Sequence, residues 1–271
     1  MSKNNTLKRV VVSVIFIPGI LYISYFGKIP FLLFVLAIGM VSFFEFMKFS
    51  QLKKNSPQIA IGILSVGTII LNKSLNFIEY YDLLLAIVVL LSLVELFRNK
   101  GSAIYNIGVT LLGLLYIGFF TSSILAIREN FFIYERGGFL MMAIIITIWV
   151  CDSAAFFGGI NLGKHKLFPR VSPKKSWEGA IFGFVFSIIA MIVAKYLVLD
   201  FLMMEHAIII GAIVGTVGQM GDLIESLFKR DAGVKDSSNL IPGHGGIFDR
   251  FDSLLVASPV IFLYIKYFVG S

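Results

Sequence analysis

Residues 177–199 have the sequence WEGAIFGFVFSIIAMIVAKYLVL, in which charged side chains occur only near the two ends. A helix needs about 20 predominantly apolar residues to cross the hydrocarbon core of a bilayer, so this stretch predicts a transmembrane helix. Eight further stretches have the same character: 10–27, 29–48, 58–76, 80–97, 104–127, 138–159, 206–228 and 252–269. We therefore expect an all-α polytopic membrane protein with about nine transmembrane helices.

The composition of the 271 residues agrees with a membrane protein. Counted with glycine and without tyrosine, apolar residues make up about 63% of the chain, whereas soluble domains average about 45–50%. Charged residues make up 14%, against about 25% in soluble domains. This composition excludes a soluble enzyme, a nucleic-acid-binding domain and a disordered protein. The single cysteine, Cys151, excludes an internal disulfide and a cysteine-based zinc site.

The basic residues are divided unequally between the two sides of the expected membrane. Counted loop by loop, 17 of the 23 lie on the side of the N-terminus and six lie on the other side. Because cytoplasmic loops are enriched in Lys and Arg, we expect a cytoplasmic N-terminus and, after nine spans, an outer C-terminus. The expected location is the inner (plasma) membrane, and most of the net charge of +7 is explained by this orientation.

Nine spans leave about 90 residues for all loops and tails, which is too few for a soluble domain. Any chemistry must therefore lie on helix ends and short loops. We expect two regions, residues 1–140 with about five spans and residues 141–271 with the catalytic groups. The second region contains the two longest cytoplasmic loops, 160–176 and 229–251.

Ionisable residues inside spans are costly and are therefore candidates for function. Asp222, Glu225 and Lys229 follow helical spacing and share one face of the eighth span. Asp222 is the stronger candidate, since Glu225 and Lys229 also fit an ordinary i, i+4 ion pair. Asp152, near the cytoplasmic end of the sixth span, fits either a site carboxylate or a partner of a loop lysine.

Two other carboxylates in spans have a simpler local explanation. Glu45 and Glu95 lie near cytoplasmic helix ends, and Lys48 and Arg98 follow them by three residues. We interpret both acids as members of ion pairs at the membrane interface. Two Gly-x-x-x-Gly pairs, at 179/183 and 211/215, favour close helix packing but do not establish a dimer.

The most polar segment joins the eighth and ninth spans, and ten of the 39 charged residues lie between Asp222 and Asp252. Asp222, Asp249 and Asp252 are hard oxygen ligands suited to Mg²⁺. The basic residues that can neutralise phosphate oxygens are Lys229, Arg230, Lys235 and Arg250. The turn at 242–246 contains three glycines whose backbone N–H groups can line an anion. Together these groups predict polyphosphate chemistry at a membrane surface.

Two stretches resemble the phosphatidate cytidylyltransferase family, also called the CDP-diacylglycerol synthases. From Ser226 to Asp252 the pattern S-x-F-K-R-x₄-K-D-x-S-x₂-I-P-x-H-G-G-I-x-D-R-F-D resembles the family signature without departure. Residues 172–179, SPKKSWEG, are similar to the family's SPKKTWEG, with Ser176 as a mild variant. The resemblance covers roughly residues 149–252, whereas residues 1–140 match only as hydrophobic spans.

The resemblance implies a reaction in which CTP and phosphatidic acid give CDP-diacylglycerol and pyrophosphate. The lipid phosphate would attack the α-phosphorus of CTP in line, with Mg²⁺ on Asp222 and Asp249. Asp152 or Asp252 would complete this site or hold a second cation. The residues expected to act in catalysis are Asp222, Lys229, Arg230, Asp249, Arg250 and Asp252. Those expected to bind substrate are Ser172, Lys174, Lys175, Lys235, Pro242, His244, Gly245 and Gly246.

The expected partners are therefore CTP, phosphatidic acid and the lipid bilayer, with no nucleic acid and with a second copy of the chain in a homodimer. Lys174 and Lys175 fit either the CTP triphosphate or the lipid headgroup. A transporter or channel is an alternative, because it is also polytopic and has intramembrane acids. A CDP-alcohol phosphotransferase is disfavoured, because that family's D-G-x₂-A-R-x₈-G-x₃-D-x₃-D pattern is missing. A purely structural subunit would not require so many acids, bases and glycines in one loop.

Overall fold

The computed structural model of the chain describes residues 3–52, 56–129, 134–238, 240 and 245–269, without the side chains of residues 3–13 and 134. Within these ranges nine continuous helices follow one another, and each coincides with one of the nine apolar stretches. They are α1 Lys3–Phe26, α2 Lys28–Gln51, α3 Ile59–Leu75, α4 Tyr80–Leu96, α5 Ala103–Glu129, α6 Tyr134–Leu162, α7 Trp177–Leu197, α8 Met204–Asp231 and α9 Phe248–Val269.

Six of the described helices, α2 and α5 to α9, are long and apolar enough to cross a membrane. Helix α3 and the apolar part of α1 that is described are shorter. The prediction of a largely helical, multi-pass membrane protein is therefore confirmed. The number of nine crossings and the sides of the two termini stay predictions.

The expectation of an all-α chain is wrong in one place, the loop 160–176. Helix α6 continues to Leu162, and an antiparallel hairpin follows, with strands β1 Lys166–Phe168 and β2 Ser172–Ser176. The turn between them begins at Pro169, whose fixed φ suits the start of a turn and is incompatible with a continuing helix. The loop is therefore an ordered structure that presents two lysines, Lys174 and Lys175.

The hairpin is fastened to the start of α7 by hydrogen bonds. The carboxylate of Glu178 accepts the backbone N–H groups of Lys164 and His165 at 3.1 and 3.2 Å. It also lies 2.6 Å from the His165 ring nitrogen Nδ1. The Ser176 hydroxyl accepts the Gly179 N–H at 3.2 Å and caps α7, as serine commonly does at this position. The position of β2 relative to the helices is therefore fixed.

The glycine pairs pack helices within a single chain. A Cβ atom added at Gly179 would lie 2.6 Å from the carbonyl oxygen of Ala155 in α6. A Cβ atom added at Gly211 would lie 2.8 Å from the Cα atom of Ile188 in α7. The small residues thus allow α6, α7 and α8 to approach closely, as is common for helices in membranes.

An aromatic cluster joins the N-terminal helices to the two helices that carry the polar segment. The cluster consists of Phe46 and Phe49 of α2, Tyr116 of α5, Phe228 of α8 and Phe248 of α9. The ring centroids of Phe46 and Tyr116 both lie 5.5 Å from that of Phe228, in edge-on geometry. Tyr116 belongs to a π-helical stretch, Leu114–Phe119, inside α5. The helices of residues 1–140 therefore support the C-terminal region directly.

Candidate functional site

A cavity of about 1130 Å³ lies among α1, α2, α6, α7, α8, α9 and strand β2. One part of its lining is apolar and includes Phe16 and Ile20 of α1, Phe34 of α2 and Ile148 of α6. The charged lining residues are Asp152, Lys174, Lys175, Asp222, Glu225, Lys229, Asp236, Asp249, Arg250 and Asp252. The cavity therefore has surfaces for both a polyanion and an acyl chain.

Strand β2 contributes a cation directly to a carboxylate of α8. The Nζ atom of Lys175 lies 2.6 Å from Oδ2 of Asp222, and the Ser226 hydroxyl donates to Oδ1 of the same carboxylate at 3.2 Å. Asp222 follows Lys175 by 47 positions in the sequence, and the hairpin brings the two side chains together. The ion pair places the basic motif of the 160–176 loop beside the acids of the eighth span.

Lys229 forms a bridge between α8 and α9. Its ammonium lies 3.0 Å from Oε2 of Glu225 and 2.5 Å from Oδ1 of Asp249. The side chains of these three residues are 9%, 1% and 6% exposed, so the ion pairs are buried. The i, i+4 pair between Glu225 and Lys229 therefore exists, and it belongs to a larger charged group that lines the cavity. Removing one member of such a buried group leaves the others without a partner.

The second oxygen of Asp249 is bound by the polar segment itself. Oδ2 accepts the Ser237 N–H at 3.0 Å, the Ser237 hydroxyl at 2.9 Å and the Gly246 N–H at 2.9 Å. Asp249 thus links the polar segment on one side to Lys229 on the other. Both carboxylate oxygens of Asp249 therefore have protein donors.

Three carboxylates could share one metal ion. One oxygen from each of Asp222, Glu225 and Asp252 lies within 4.8 Å of the others. Oε1 of Glu225 is buried and has no hydrogen-bond partner among the described residues. A buried carboxylate oxygen without a donor is costly unless a cation satisfies it, and hard oxygen ligands suit Mg²⁺. The residues present therefore fit a divalent cation.

This group differs from the metal ligands that the sequence predicted. Asp222 is common to both sets, and Asp252 was the expected alternative ligand. Asp152 lines the same cavity but lies outside the group of three, and Asp249 contacts Lys229 instead. The roles of Asp152 and Asp249 as ligands stay predictions, and Glu225 is the candidate that sequence reasoning left open.

The other expected site residues fall into three classes. Lys174 and Arg250 line the cavity beside the residues described above. Ser172, Arg230, Lys235, Gly245 and Gly246 do not line it, and Nη1 of Arg230 donates to the Val234 carbonyl at 2.9 Å. Pro242 and His244 lie outside the described residues. Binding roles for these residues stay predictions.

Sequence reasoning explained Glu95 correctly and missed the role of Glu45. Nη1 of Arg98 lies 2.8 Å from Glu95, as expected. Lys48, in contrast, lies over the Phe44 ring at 5.3 Å. The buried carboxylate of Glu45 accepts hydrogen bonds from Ser237, Ser238, Ile247 and Phe248. The position of Glu45 in an apolar span was the sequence signal for such a role. Because Lys48 follows it by three residues, the sequence analysis interpreted Glu45 as a member of a local ion pair.

Known proteins resemble this chain over nearly its full length. The model of the Cytidylyltransferase family matches residues 7–268. A protein of Bacillus subtilis named phosphatidate cytidylyltransferase is 32% identical over 272 residues, which cover 98% of each chain. A protein of Staphylococcus haemolyticus with the same name is 32% identical over 263 residues, covering 96% of this chain and 97% of the relative. One of Haemophilus influenzae is 40% identical over 156 residues, covering 55% and 54%. Because the family model and the full-length relatives agree, the chain belongs to the cytidylyltransferase family, among the phosphatidate cytidylyltransferases.

Proposed function

We propose that the chain joins CTP and phosphatidic acid to give CDP-diacylglycerol and pyrophosphate for phospholipid biosynthesis. The relatives are named for transfer of a cytidylyl group to phosphatidate. The observation that carries the proposal is one cavity whose lining combines ten charged residues with apolar residues of α1, α2 and α6. Such a cavity suits two substrates, one a water-soluble polyanion and the other a lipid phosphate with acyl chains.

In the proposed reaction an oxygen of the lipid phosphate attacks the α-phosphorus of CTP. A new P–O bond forms as the bond to the β-phosphate oxygen breaks, and pyrophosphate leaves with that oxygen. The attacking oxygen is already anionic, so no strong general base is required. The main obstacle is the approach of two anions, which positioned cations relieve.

Lys175, Lys229 and Arg250 are cavity-lining cations that would neutralise phosphate oxygens of the two substrates. Lys175 and Lys229 already contact carboxylates, so each is held in one orientation before substrate arrives. Phosphate oxygens would take the remaining donors of each ammonium, since an ammonium has three. Charge-assisted hydrogen bonds of this kind are stronger than neutral ones.

Asp222, Glu225 and Asp252 would hold Mg²⁺, and Asp249 and Asp152 are the further ligands predicted from the sequence. The ion would neutralise phosphate charge and stabilise the pyrophosphate leaving group. The close approach of three carboxylate oxygens and the unpartnered Oε1 of Glu225 support this assignment. A second cation remains an alternative within the same proposal.

We place the cavity on the cytoplasmic side of the inner membrane, where CTP is available. The unequal distribution of basic residues supports a cytoplasmic N-terminus and nine crossings, with the C-terminus outside. In this arrangement the hairpin and the segment 229–251 both face the cytoplasm. The proposal includes a homodimer in the membrane, for which the small-residue pairs give no support because they pack helices within the chain.

The test is an assay of the purified full-length protein in detergent with radiolabelled CTP and phosphatidic acid, with and without Mg²⁺. We expect lipid-soluble CDP-diacylglycerol and one pyrophosphate per turnover, and loss of both when Mg²⁺ is chelated. Glu225→Gln should abolish product, whereas Glu205→Gln, at a side chain that is 70% exposed, should not. Absence of product from wild-type protein, together with solute movement in liposomes, would favour a transporter instead.

A further inference from the structure

We propose that Glu45 of α2 is a positioning residue for the active site, which holds Ser237, Ser238 and the start of α9 so that Asp249 faces Lys229. The inference rests on the proposed function of the cavity that Lys229 and Asp249 line. Glu45 itself does not line the cavity. Its effect on the reaction must therefore pass through the residues that it binds.

The carboxylate of Glu45 is 2% exposed and accepts four hydrogen bonds from one segment. Oε1 accepts the Ser238 hydroxyl at 2.5 Å and the Ile247 N–H at 3.1 Å. Oε2 accepts the Ser237 hydroxyl at 3.0 Å and the Phe248 N–H at 2.8 Å. All four donors are neutral, and no ion pair of Glu45 occurs among the described residues.

The two backbone donors belong to the start of α9. The first N–H groups of a helix have no partner within the helix and are usually satisfied by the side chain of the residue at the N-cap. Here that residue is Ile247, whose side chain has no capping hydrogen bond. The carboxylate of Glu45 supplies the missing acceptor from another helix, and its negative charge is favourable at a helix N-terminus.

The two hydroxyl donors connect Glu45 to the charged group of the cavity. The Ser237 hydroxyl lies within hydrogen-bond distance of both Glu45 and Oδ2 of Asp249, and its single proton is shared between the two carboxylates. Asp249 in turn contacts the ammonium of Lys229. A continuous series of contacts therefore runs from Glu45 through Ser237 and Asp249 to Lys229.

The packing around this series leaves little freedom. A Cβ atom at Gly246 would overlap the Ser237 hydroxyl and the Glu45 carboxylate, so a side chain there would displace both. Phe46 and Phe49, next to Glu45 in α2, pack against the Phe248 ring with centroids 6.2 Å away. Removal of the carboxylate would leave the Ser238 hydroxyl and the backbone N–H groups of Ile247 and Phe248 without an acceptor, and the Ser237 hydroxyl with Asp249 alone.

The experiment compares Glu45→Gln and Glu45→Asp with the wild-type protein in the CTP and phosphatidic acid assay. The Gln side chain replaces one acceptor oxygen by an N–H₂ group. We expect kcat to fall about 10-fold or more while the KM for CTP stays within about threefold, because misplaced groups lower the rate more than binding. Glu45→Asp keeps the charge and should recover part of kcat.

Glu95→Gln is the matched control, because Glu95 is also a buried span carboxylate with three hydrogen-bonded partners. It lies outside the cavity lining, so its loss should lower the thermal unfolding midpoint but leave kcat unchanged. An equal fall in kcat for both variants would mean a merely structural role for Glu45 and would overturn the proposal. A second outcome would also overturn it. If the fold-reductions in kcat of Glu45→Gln and Ser237→Ala multiply in the double variant, the two residues act independently, whereas residues in one series of contacts should be coupled.

Hydrogen exchange of the Ile247 and Phe248 amides gives a readout that does not depend on activity. In Glu45→Gln we expect these amides to exchange about 10-fold faster, as the loss of a charged acceptor predicts. If the wild-type protein makes no CDP-diacylglycerol, the proposed function fails, and this exchange measurement alone decides the role of Glu45. Unchanged exchange in Glu45→Gln would overturn the inference even in an active enzyme.

Discussion

The ammonium of Lys175, on strand β2, lies 2.6 Å from the carboxylate of Asp222 on α8. This contact joins the hairpin to α8, which are separated in the sequence by α7. It also means that a cation and a candidate metal ligand neutralise each other at the cavity surface. Binding of phosphate or of a metal ion there would be an exchange of partners between groups that are already charged.

Replacing Lys175 by Met should lower kcat/KM for CTP about 10- to 100-fold, the usual effect of losing a hydrogen bond between charged groups. The Asp222 carboxylate would lose its cation, so the Mg²⁺ concentration for half-maximal rate should not rise. The measurement is steady-state kinetics over a Mg²⁺ titration, with Lys266→Met, an exposed lysine at the far end of α9, as the control. A rise in the Mg²⁺ concentration for half-maximal rate in Lys175→Met would contradict this prediction and would mean that Lys175 assists the metal site.

The two aspartates of α9 should behave differently when each is changed to Asn. Asp252→Asn removes a member of the group formed with Asp222 and Glu225 and should raise the Mg²⁺ concentration for half-maximal activity at least about 10-fold. Asp249→Asn removes the partner of Lys229 and should lower kcat with little change in this concentration. Binding of Mn²⁺, followed by electron paramagnetic resonance, reports the same difference without turnover. If Asp249→Asn instead raised the Mg²⁺ concentration for half-maximal activity more than Asp252→Asn does, Asp249 would be the main metal ligand.

Lys229 should be important for stability as well as for activity. Lys229→Met leaves the buried carboxylates of Glu225 and Asp249 without their cation and should lower the free energy of unfolding by about 3 kcal/mol. Thermal unfolding in detergent measures the change against Lys266→Met. The double variant Lys229→Met/Glu225→Gln should recover part of the loss, because one unpaired charge is removed. Equal midpoints for Lys229→Met and the control would contradict the role of the bridge.

The proposed orientation places the hairpin and the end of α9 on opposite sides of the membrane. Lys166→Cys should react with a membrane-impermeant maleimide only in inside-out vesicles, and Lys266→Cys only in right-side-out vesicles. Both positions are exposed, and the native Cys151 is 2% exposed and should give no background. Labelling of both from one side would exclude the three crossings that α7, α8 and α9 require.

Local patterns in the sequence were sufficient for the helices and for much of the cavity. Hydrophobic stretches depend only on neighbouring residues, and all nine coincide with helices in the described parts of the chain. The motifs predicted seven of the charged residues that line the cavity: Lys174, Lys175, Asp222, Lys229, Asp249, Arg250 and Asp252. The two lysines lie on strand β2, and the other five lie on α8 and the start of α9. The hairpin escaped notice because its short strands lack alternation and are rich in lysine and proline.

Contacts across long separations were beyond reach of such patterns. Glu45 has Lys48 three residues away, which made an ion pair the simplest interpretation, yet its partners are about 200 residues away. The different partners of Asp249 and Asp252 are a second example. Asp249 and Asp252 share one helix face, but only the folded chain shows that Lys229 takes the first and that Glu225 lies beside the second.

The aromatic cluster and Glu45 have a consequence for any shortened version of this chain. A fragment beginning at residue 141 would keep every charged residue of the cavity. It would lack the rings of Phe46, Phe49 and Tyr116, against which Phe228 and Phe248 pack, and the carboxylate that caps α9. The first half of the chain therefore supports the helices that line the cavity, and shortened or fused versions of the protein should keep it intact.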